Sequence, residues 1–178
     1  MFRTTLARIA IGMPLLLVLN CYALAESRDP DTVKRQAFEW LKEKSESYGT
    51  TNVVLPPQRP GQEALIREQT TLIVALDDCT LKVARTAHFF NSDAANTIDV
   101  SIPMGAVRVS GVHVKVHASE FAALGGSSDA AEVVIPTQSN PSSPSGISFN
   151  STDIAERAAR AVIDLAIACG AEDKKEAY

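Results

Sequence analysis

The 178-residue sequence lacks the motifs of the common enzyme classes. It contains no G-x-S-x-G nucleophile turn, no H-E-x-x-H zinc motif, no Walker phosphate-binding loop and no C-x-x-C pair. Histidine is scarce as well, with three in the chain. These absences predict a protein that is not an enzyme and has no catalytic residue, no bound metal and no cofactor.

The sequence also lacks an apolar run near its start that is long enough to cross a membrane. The run from Ile9 to Leu19 is about eleven residues, too short as a helix to span the roughly 30 Å hydrocarbon core of a bilayer. Arg3 and Arg8 precede it, and an Ala-Leu-Ala tripeptide that ends at Ala25 supplies the pattern that signal peptidase recognises. We therefore expect residues 1–25 to be a cleaved secretory signal, with Glu26 as the first mature residue and a periplasmic or secreted location.

Cys21 offers an alternative within the same segment, a lipid-modified cysteine that would anchor the protein to a membrane. Such sites take a small residue immediately before the cysteine, and Asn20 fits that requirement poorly. Cleavage after Ala25 is the favoured expectation.

An excess of basic residues is absent too. The chain has 17 basic and 21 acidic residues, and removal of the signal takes away two arginines, which leaves 15 against 21 and a formal net charge of −6. Nucleic acids and anionic membranes are usually recognised through basic patches, so this balance argues against both as partners. About 150 mature residues suffice for one domain with an apolar core.

Only two cysteines, Cys79 and Cys169, remain after cleavage. In an oxidising compartment such a pair predicts a disulfide. Two unrelated buried thiols are the alternative, since unpaired cysteine is among the most buried residue types.

Residues 31–48 are predicted to form an amphipathic helix. Asp29 or Asp31 can cap its start, Gly49 is placed to end it, and Trp40 belongs to its apolar face.

The next stretch, 53–62, contains three prolines and a glycine and is predicted to be a connector that is neither helix nor central strand. Residues 26–62 are thus expected to hold the first helix and this connector.

From residue 70 the pattern predicts β structure almost to the end. Residues 71–76 and 79–86 flank Asp77-Asp78, which predicts a tight hairpin in which Cys79 starts the second strand and points to the core. We predict strands at 98–102, 133–135 and 147–149, turns or loops at 88–96 and 137–146, and either a short helix or an irregular loop at 119–131.

GVHVKVH, residues 111–117, holds two of the three histidines. Valine alternates with His113, Lys115 and His117, which is typical of a strand. Four residues along a strand separate the histidines by about 13 Å, so they cannot share one zinc ion without ligands from elsewhere. We expect His113 and His117 to lie exposed on one solvated face.

A second helix is predicted at 153–169, started by the D-x-x-E pair Asp153 and Glu156 and stopped by Gly170. Its charged residues form one narrow stripe, so the rest of its circumference is expected to be covered. Cys169 lies near the core-facing row, which supports a disulfide with Cys79.

The segments DDCTLKV, TIDVSIPMGAVRV and DIAERAARAVIDLAIACGA occur in the order of strands closed by one C-terminal helix. In this pattern, residues 66–172 resemble the pleckstrin-homology-like domains of exported bacterial proteins. The resemblance implies an α+β fold at 63–172, a strongly bent antiparallel sheet or partly open barrel with a capping helix, followed by a tail at 173–178. It also implies binding of peptides, proteins or lipid headgroups. The first hairpin carries only Lys82 and Arg85 as basic residues, so phosphoinositide binding is not expected.

The leading hypothesis is therefore an exported, non-enzymatic binding module with a protein or peptide partner. The alternative is a periplasmic immunity or inhibitor protein that neutralises a toxin or hydrolase. A hydrolase with an unrecognised site is a third class.

Overall fold

The computed structural model describes residues 29–57, 59–88, 94–118, 122, 125–140 and 142–172. The predicted signal with its Ala25–Glu26 cleavage site, Cys21, and the tail at 173–178 lie outside the described residues.

The described chain is an α+β fold, as predicted, with one helix before and one after two antiparallel sheets. The elements are α1 (Pro30–Tyr48), β1 (Thr50–Leu55), β2 (Leu65–Asp77), β3 (Thr80–His88), β4 (Ala95–Pro103), β5 (His113–Val116), β6 (Ser127–Ser128), β7 (Ala131–Ile135), β8 (Ser145–Phe149) and α2 (Thr152–Ala168). The larger sheet has the strand order β4-β3-β2-β1-β6, and the smaller has the order β5-β7-β8. Among the described residues the strands form these two sheets rather than a closed barrel.

Helix α1 begins and ends where the sequence predicts. The Asp29 carboxylate accepts a hydrogen bond from the Thr32 backbone N–H at 3.1 Å, which caps the first turn. At the other end the helix lies along the part of β2 that extends beyond β1: the Thr71 N–H donates to the Gly49 carbonyl and the Ile73 N–H to Ser45 Oγ, both at 2.9 Å. The last turn of α1 therefore satisfies strand groups that would otherwise lack partners.

The connector predicted at 53–62 is shorter than expected. Val53, Val54 and Leu55 belong to β1, which pairs with β2 on one side and with β6 on the other. The prolines begin only at Pro56, and the segment before them is rich in β-branched residues that favour a strand. The boundary predicted between residues 62 and 63 consequently falls inside the β1–β2 connection of one sheet.

The β2–β3 hairpin turns one residue later than predicted. Asp77 pairs with Thr80, so the two turn residues are Asp78 and Cys79, and both have positive φ, 42° and 62°. Two-residue turns with positive φ match the right-handed twist of the flanking strands, and aspartate tolerates this conformation better than most residues. Cys79 lies in the turn, and its predicted place in the strand is wrong.

The remaining strands, apart from β6, were predicted in kind but not in length. Strand β6 lies within 119–131, where a short helix or an irregular loop was predicted. The loop predicted at 88–96 is shorter in the structure, because the β3–β4 pairing extends to His88 in β3 and to Ala95 and Asn96 in β4. The turn segment 137–146 loses Ser145 and Gly146 to β8, and Thr137, buried, forms a bridge with Val107.

The apolar core joins both sheets and both helices. It includes Ile73 and Val83 of the larger sheet, Val133 and Phe149 of the smaller sheet, and a buried row of α2. That row consists of Ile154, Ala155, Ala158, Ala159, Val162, Leu165 and Ala166.

The ends of α2 differ from the prediction at the first turn and agree with it at the last. Ser151 is the capping residue, because its Oγ accepts from the Ile154 N–H at 3.4 Å, whereas Asp153 lies in the first turn. Gly170 ends the helix with φ +82°, as predicted. Cys79 and Cys169 form a disulfide, as predicted. Ile167 is 56% exposed, so the apolar surface of the helix is not fully covered, contrary to expectation.

Candidate binding pocket

The inner face of the larger sheet changes from apolar to polar along its length. On β2, Ile73 is buried in the core, and steps of two residues toward the start of the strand lead to Gln69 and Arg67 on the same face. On β3, the step from the buried Val83 leads to Arg85. The fold therefore points two arginines inward, where a sheet normally points apolar side chains.

These arginines line a cavity of about 220 Å³ that we call the arginine pocket. Residues of both sheets and of the segments beside them form its walls. They are Thr51, Val53, Arg67, Gln69, Arg85, His117, Ser128, Ala130, Glu132 and Ser148.

Arg85 connects the two sheets across the pocket. Its Nη2 donates a hydrogen bond to the Gly146 carbonyl of β8, while its Nε is buried and has no partner among the described residues. Burial lowers the pKa of Arg85 from its ordinary value, and the negative charge of Glu132 acts in the opposite direction. The guanidinium stays charged, because arginine is not deprotonated in proteins.

Arg67 lies in the same pocket without a comparable anchor. Its Nε is also buried and lacks a hydrogen-bond partner among the described residues. The ion pairs of the described chain join other residues. Arg67 therefore presents a cation and several N–H donors to the cavity.

Glu132 supplies the negative charge of the pocket. It lies opposite Ser148 in the β7–β8 register, and its Oε2 is 3.2 Å from His117 Nε2. Gly146 makes room for this side chain, because a Cβ at that position would overlap the Glu132 carboxylate. The absence of a side chain at Gly146 thus allows the Glu132 carboxylate to lie close to the β8 backbone.

The two histidines of GVHVKVH differ from each other in the structure. His113 is exposed on β5, as expected, and its Nδ1 lies 2.9 Å from the Gly111 carbonyl oxygen. His117 follows the strand, and its backbone N–H donates to the Ala130 carbonyl at 3.0 Å. Its side chain is only 20% exposed, so the prediction of a solvated His117 is wrong. The reason is that the His117 side chain lies against Glu132 of β7 and lines a cavity shared with the larger sheet, which the local alternation does not reveal.

The sequence reasoning missed the arginine pocket. Of its charged residues, only Arg85 was noted, as one of few basic residues in the first hairpin, and Arg67 and Glu132 were not singled out. The sequence could have indicated it, because Arg67 lies an even number of residues from Ile73, and Arg85 from Val83, so each points to the same face of its strand as that core residue.

Within the described ranges, no group of three or more His, Cys, Asp and Glu side chains is placed to hold a metal ion. Within the same ranges, no helix combines the length and the apolar character needed to cross a membrane.

Comparisons of the chain with protein-family models, with curated proteins and with solved structures gave no match. The pocket must therefore be interpreted from its own chemistry.

Proposed function

We propose that the protein is an exported, non-enzymatic binding module and that the arginine pocket binds an anionic group of its ligand. The observation that carries this proposal is the placement of two guanidinium side chains, those of Arg67 and Arg85, in the walls of one cavity. An anion in the cavity can accept hydrogen bonds from guanidinium N–H groups.

The donor set of the pocket suits an anion. Guanidinium groups present a planar fork of N–H donors that matches the oxygens of a carboxylate or phosphate. Gln69 and Ser148 add uncharged side chains with N–H or O–H donors to the same walls. These groups favour an acceptor-rich ligand over an apolar one.

The two inward arginines take positions where the sheet would otherwise continue its apolar core. On the same strands, the inward residues Ile73 and Val83 are buried in that core. A role in ligand binding explains why the face is polar at this end of the sheet. It agrees with the expectation of a binding module and gives that module a site.

A second candidate is hydrolysis, because Ser128 and Ser148 line the same pocket as the His117–Glu132 pair. A serine nucleophile needs a base within hydrogen-bond reach. In the described structure Ser128 Oγ instead accepts from the Ala130 N–H at 3.1 Å, and no hydrogen bond joins His117 to either serine. We therefore favour binding. Turnover of p-nitrophenyl acetate by the wild type that disappears in Ser148→Ala would reverse this preference.

The proposal is tested by thermal unfolding of the mature protein in sodium acetate, with ionic strength held constant by sodium chloride. A ligand that binds only the folded state raises the melting temperature, and the increase grows with the logarithm of the ligand concentration above its dissociation constant. Acetate should raise the melting temperature of the wild type and of Arg160→Gln, an exposed arginine on α2 that serves as the matched control. Arg67→Gln should lose most of the increase. An equal increase in all three proteins would show that acetate acts elsewhere.

A further inference from the structure

We infer that the anion of the arginine pocket is a carboxylate with a single negative charge, and that Glu132 makes the pocket selective against doubly charged anions. This inference rests on the proposed function and names the chemical class of the ligand. The arginines alone do not decide between a carboxylate and a phosphate, because the N–H donors of a guanidinium group fit the oxygens of both.

The charge balance of the pocket distinguishes the two. Among the described residues that line the pocket, Arg67 and Arg85 contribute two positive charges and Glu132 one negative charge, which is an excess of one positive charge from these three side chains. One carboxylate brings that balance to zero. A dianion would leave an excess negative charge in a confined site, where charges that lack partners are unfavourable.

Glu132 is placed to act on the ligand directly. Its side chain is 27% exposed and lines the cavity. Burial lowers the pKa of Arg85, and the charge of Glu132 acts against that lowering, so the two groups interact across the pocket. Glu132 is held in place by His117 and lies over Gly146. A second carboxylate can therefore enter beside the arginines, but every additional negative charge on the ligand is repelled by Glu132.

The size of the cavity supports a compact end group. About 220 Å³ is the space of roughly seven waters at about 30 Å³ each, which suits one carboxylate and a few adjoining atoms. The carboxylate can belong to a small organic acid or to the C-terminus of a peptide. The chemistry is the same in both cases.

The experiment compares the affinities of acetate and sulfate by isothermal titration at constant ionic strength, since sulfate remains doubly charged at neutral pH. The wild type should bind acetate more tightly. Glu132→Gln should improve the sulfate-to-acetate affinity ratio by about tenfold, because removal of one carboxylate leaves two uncompensated positive charges. Glu68→Gln is the matched control, because it removes the same charge from the opposite face of β2 and should leave the ratio unchanged.

A second variant and a pair of peptides test the carboxylate assignment independently. Glu132→Asp keeps the charge and should keep the preference for acetate, which covers the case in which Glu132→Gln is poorly folded. N-acetyl-trialanine with an unmodified C-terminus should bind and its C-terminal amide should not. If the peptide with the unmodified C-terminus binds more tightly than acetate, the ligand's carboxylate belongs to a peptide C-terminus. If it binds less tightly, the ligand is a small organic acid.

The outcomes separate this inference from the proposed function. Sulfate binding as tight as acetate in the wild type, an unchanged ratio in Glu132→Gln, or equal binding of the amide would overturn the carboxylate assignment and leave anion binding intact. If neither acetate nor sulfate binds, both the proposed function and this inference are wrong.

Discussion

Arg67 and Arg85 share one pocket but differ in what holds them. Arg85 donates to the Gly146 carbonyl and so connects the larger sheet to the smaller one. Arg67 has no such bond in the described structure, and its buried Nε lacks a partner. The two residues should therefore respond differently to the same substitution.

Arg85→Gln should destabilise the ligand-free protein by about 1.5 to 3 kcal/mol, the usual value for a hydrogen bond to a charged group. Arg67→Gln should change the stability by less than about 0.5 kcal/mol, because Arg67 is partly exposed and makes no ion pair among the described residues. Urea unfolding in buffer without carboxylate measures both. An Arg67→Gln protein as unstable as Arg85→Gln would mean that Arg67 has a structural role.

At the level of single residues, the sequence predicts which side chains share one face of a strand or helix. It predicts a contact between two elements only where the chemistry leaves one possible partner. The Cys79–Cys169 pairing was predictable because a mature chain with two cysteines offers only one partner for each. Glu132 meets Arg85 only through the packing of one sheet on another. The parity of β2 and β3 could have revealed the inward arginines, but not the glutamate opposite them.

At the scale of elements, α2 is fixed at both ends by residues outside the helix proper. Ser151 caps its first turn, and Cys169 follows its last. Asp153, the cap expected from the D-x-x-E pattern, is exposed and lies 4.0 Å from Arg157 as a surface ion pair. Its contribution should therefore be small.

Ser151→Ala should lower the free energy of unfolding by about 1 kcal/mol, as is usual for loss of an N-cap side chain. Asp153→Asn, the matched control, should lower it by a few tenths of a kcal/mol, because it weakens only a surface ion pair and a helix-dipole interaction. Chemical denaturation of both variants makes the comparison. A larger loss in Asp153→Asn would restore Asp153 as the residue that starts the helix.

The disulfide fastens the end of α2 to the β2–β3 turn. The Cys79 carbonyl also accepts a hydrogen bond from the Met104 N–H at 2.8 Å, so the turn is held on a second side. With a sequence separation of 90 between the cysteines, the chain-entropy model gives about 4 to 5 kcal/mol of stabilisation.

Cys169→Ser should therefore lower the melting temperature by about 10 °C, given about 2 to 4 °C per kcal/mol for a protein of this size. Hydrogen exchange should show α2 as the first element to lose protection. Titration of thiols in the denatured, unreduced wild type is the control. Two reactive thiols there would contradict the bridge.

The sequence predicted both helices and most strands in kind because their apolar residues recur at periods of 3.6 and 2. It misplaced strand ends because pairing with a neighbour, which extends β3, β4 and β8, is not a local property. The segment Val53–Leu55 was missed because the prolines that follow it were given more weight than its β-branched residues.

At the scale of the whole molecule, the two-sheet arrangement matters more than any single element. Neither sheet alone makes the arginine pocket: the larger supplies the cations, and the smaller supplies Glu132 and Ser148. A sequence pattern that predicts a bent sheet or partly open barrel does not specify where two sheets meet. The resemblance to pleckstrin-homology-like domains stays a prediction.

Export remains a prediction at this scale too. The mature chain should begin at Glu26, because the Ala-Leu-Ala tripeptide satisfies the requirement of signal peptidase for small residues. Mass spectrometry of the protein recovered from outside the cytoplasm measures this directly. A diacylated N-terminal Cys21 would instead show that the protein is anchored by lipid.

The central claim, that the arginine pocket binds an anionic group, is tested most directly by NMR of the arginine Nε–Hε groups during titration with acetate at constant ionic strength. The Arg67 and Arg85 signals should shift together and saturate with one dissociation constant, because both side chains line the same cavity. The Arg160 signal should not follow that curve. If the Arg67 and Arg85 signals stay in place, or if all three drift in parallel without saturation, the pocket does not bind the anion and the account is wrong.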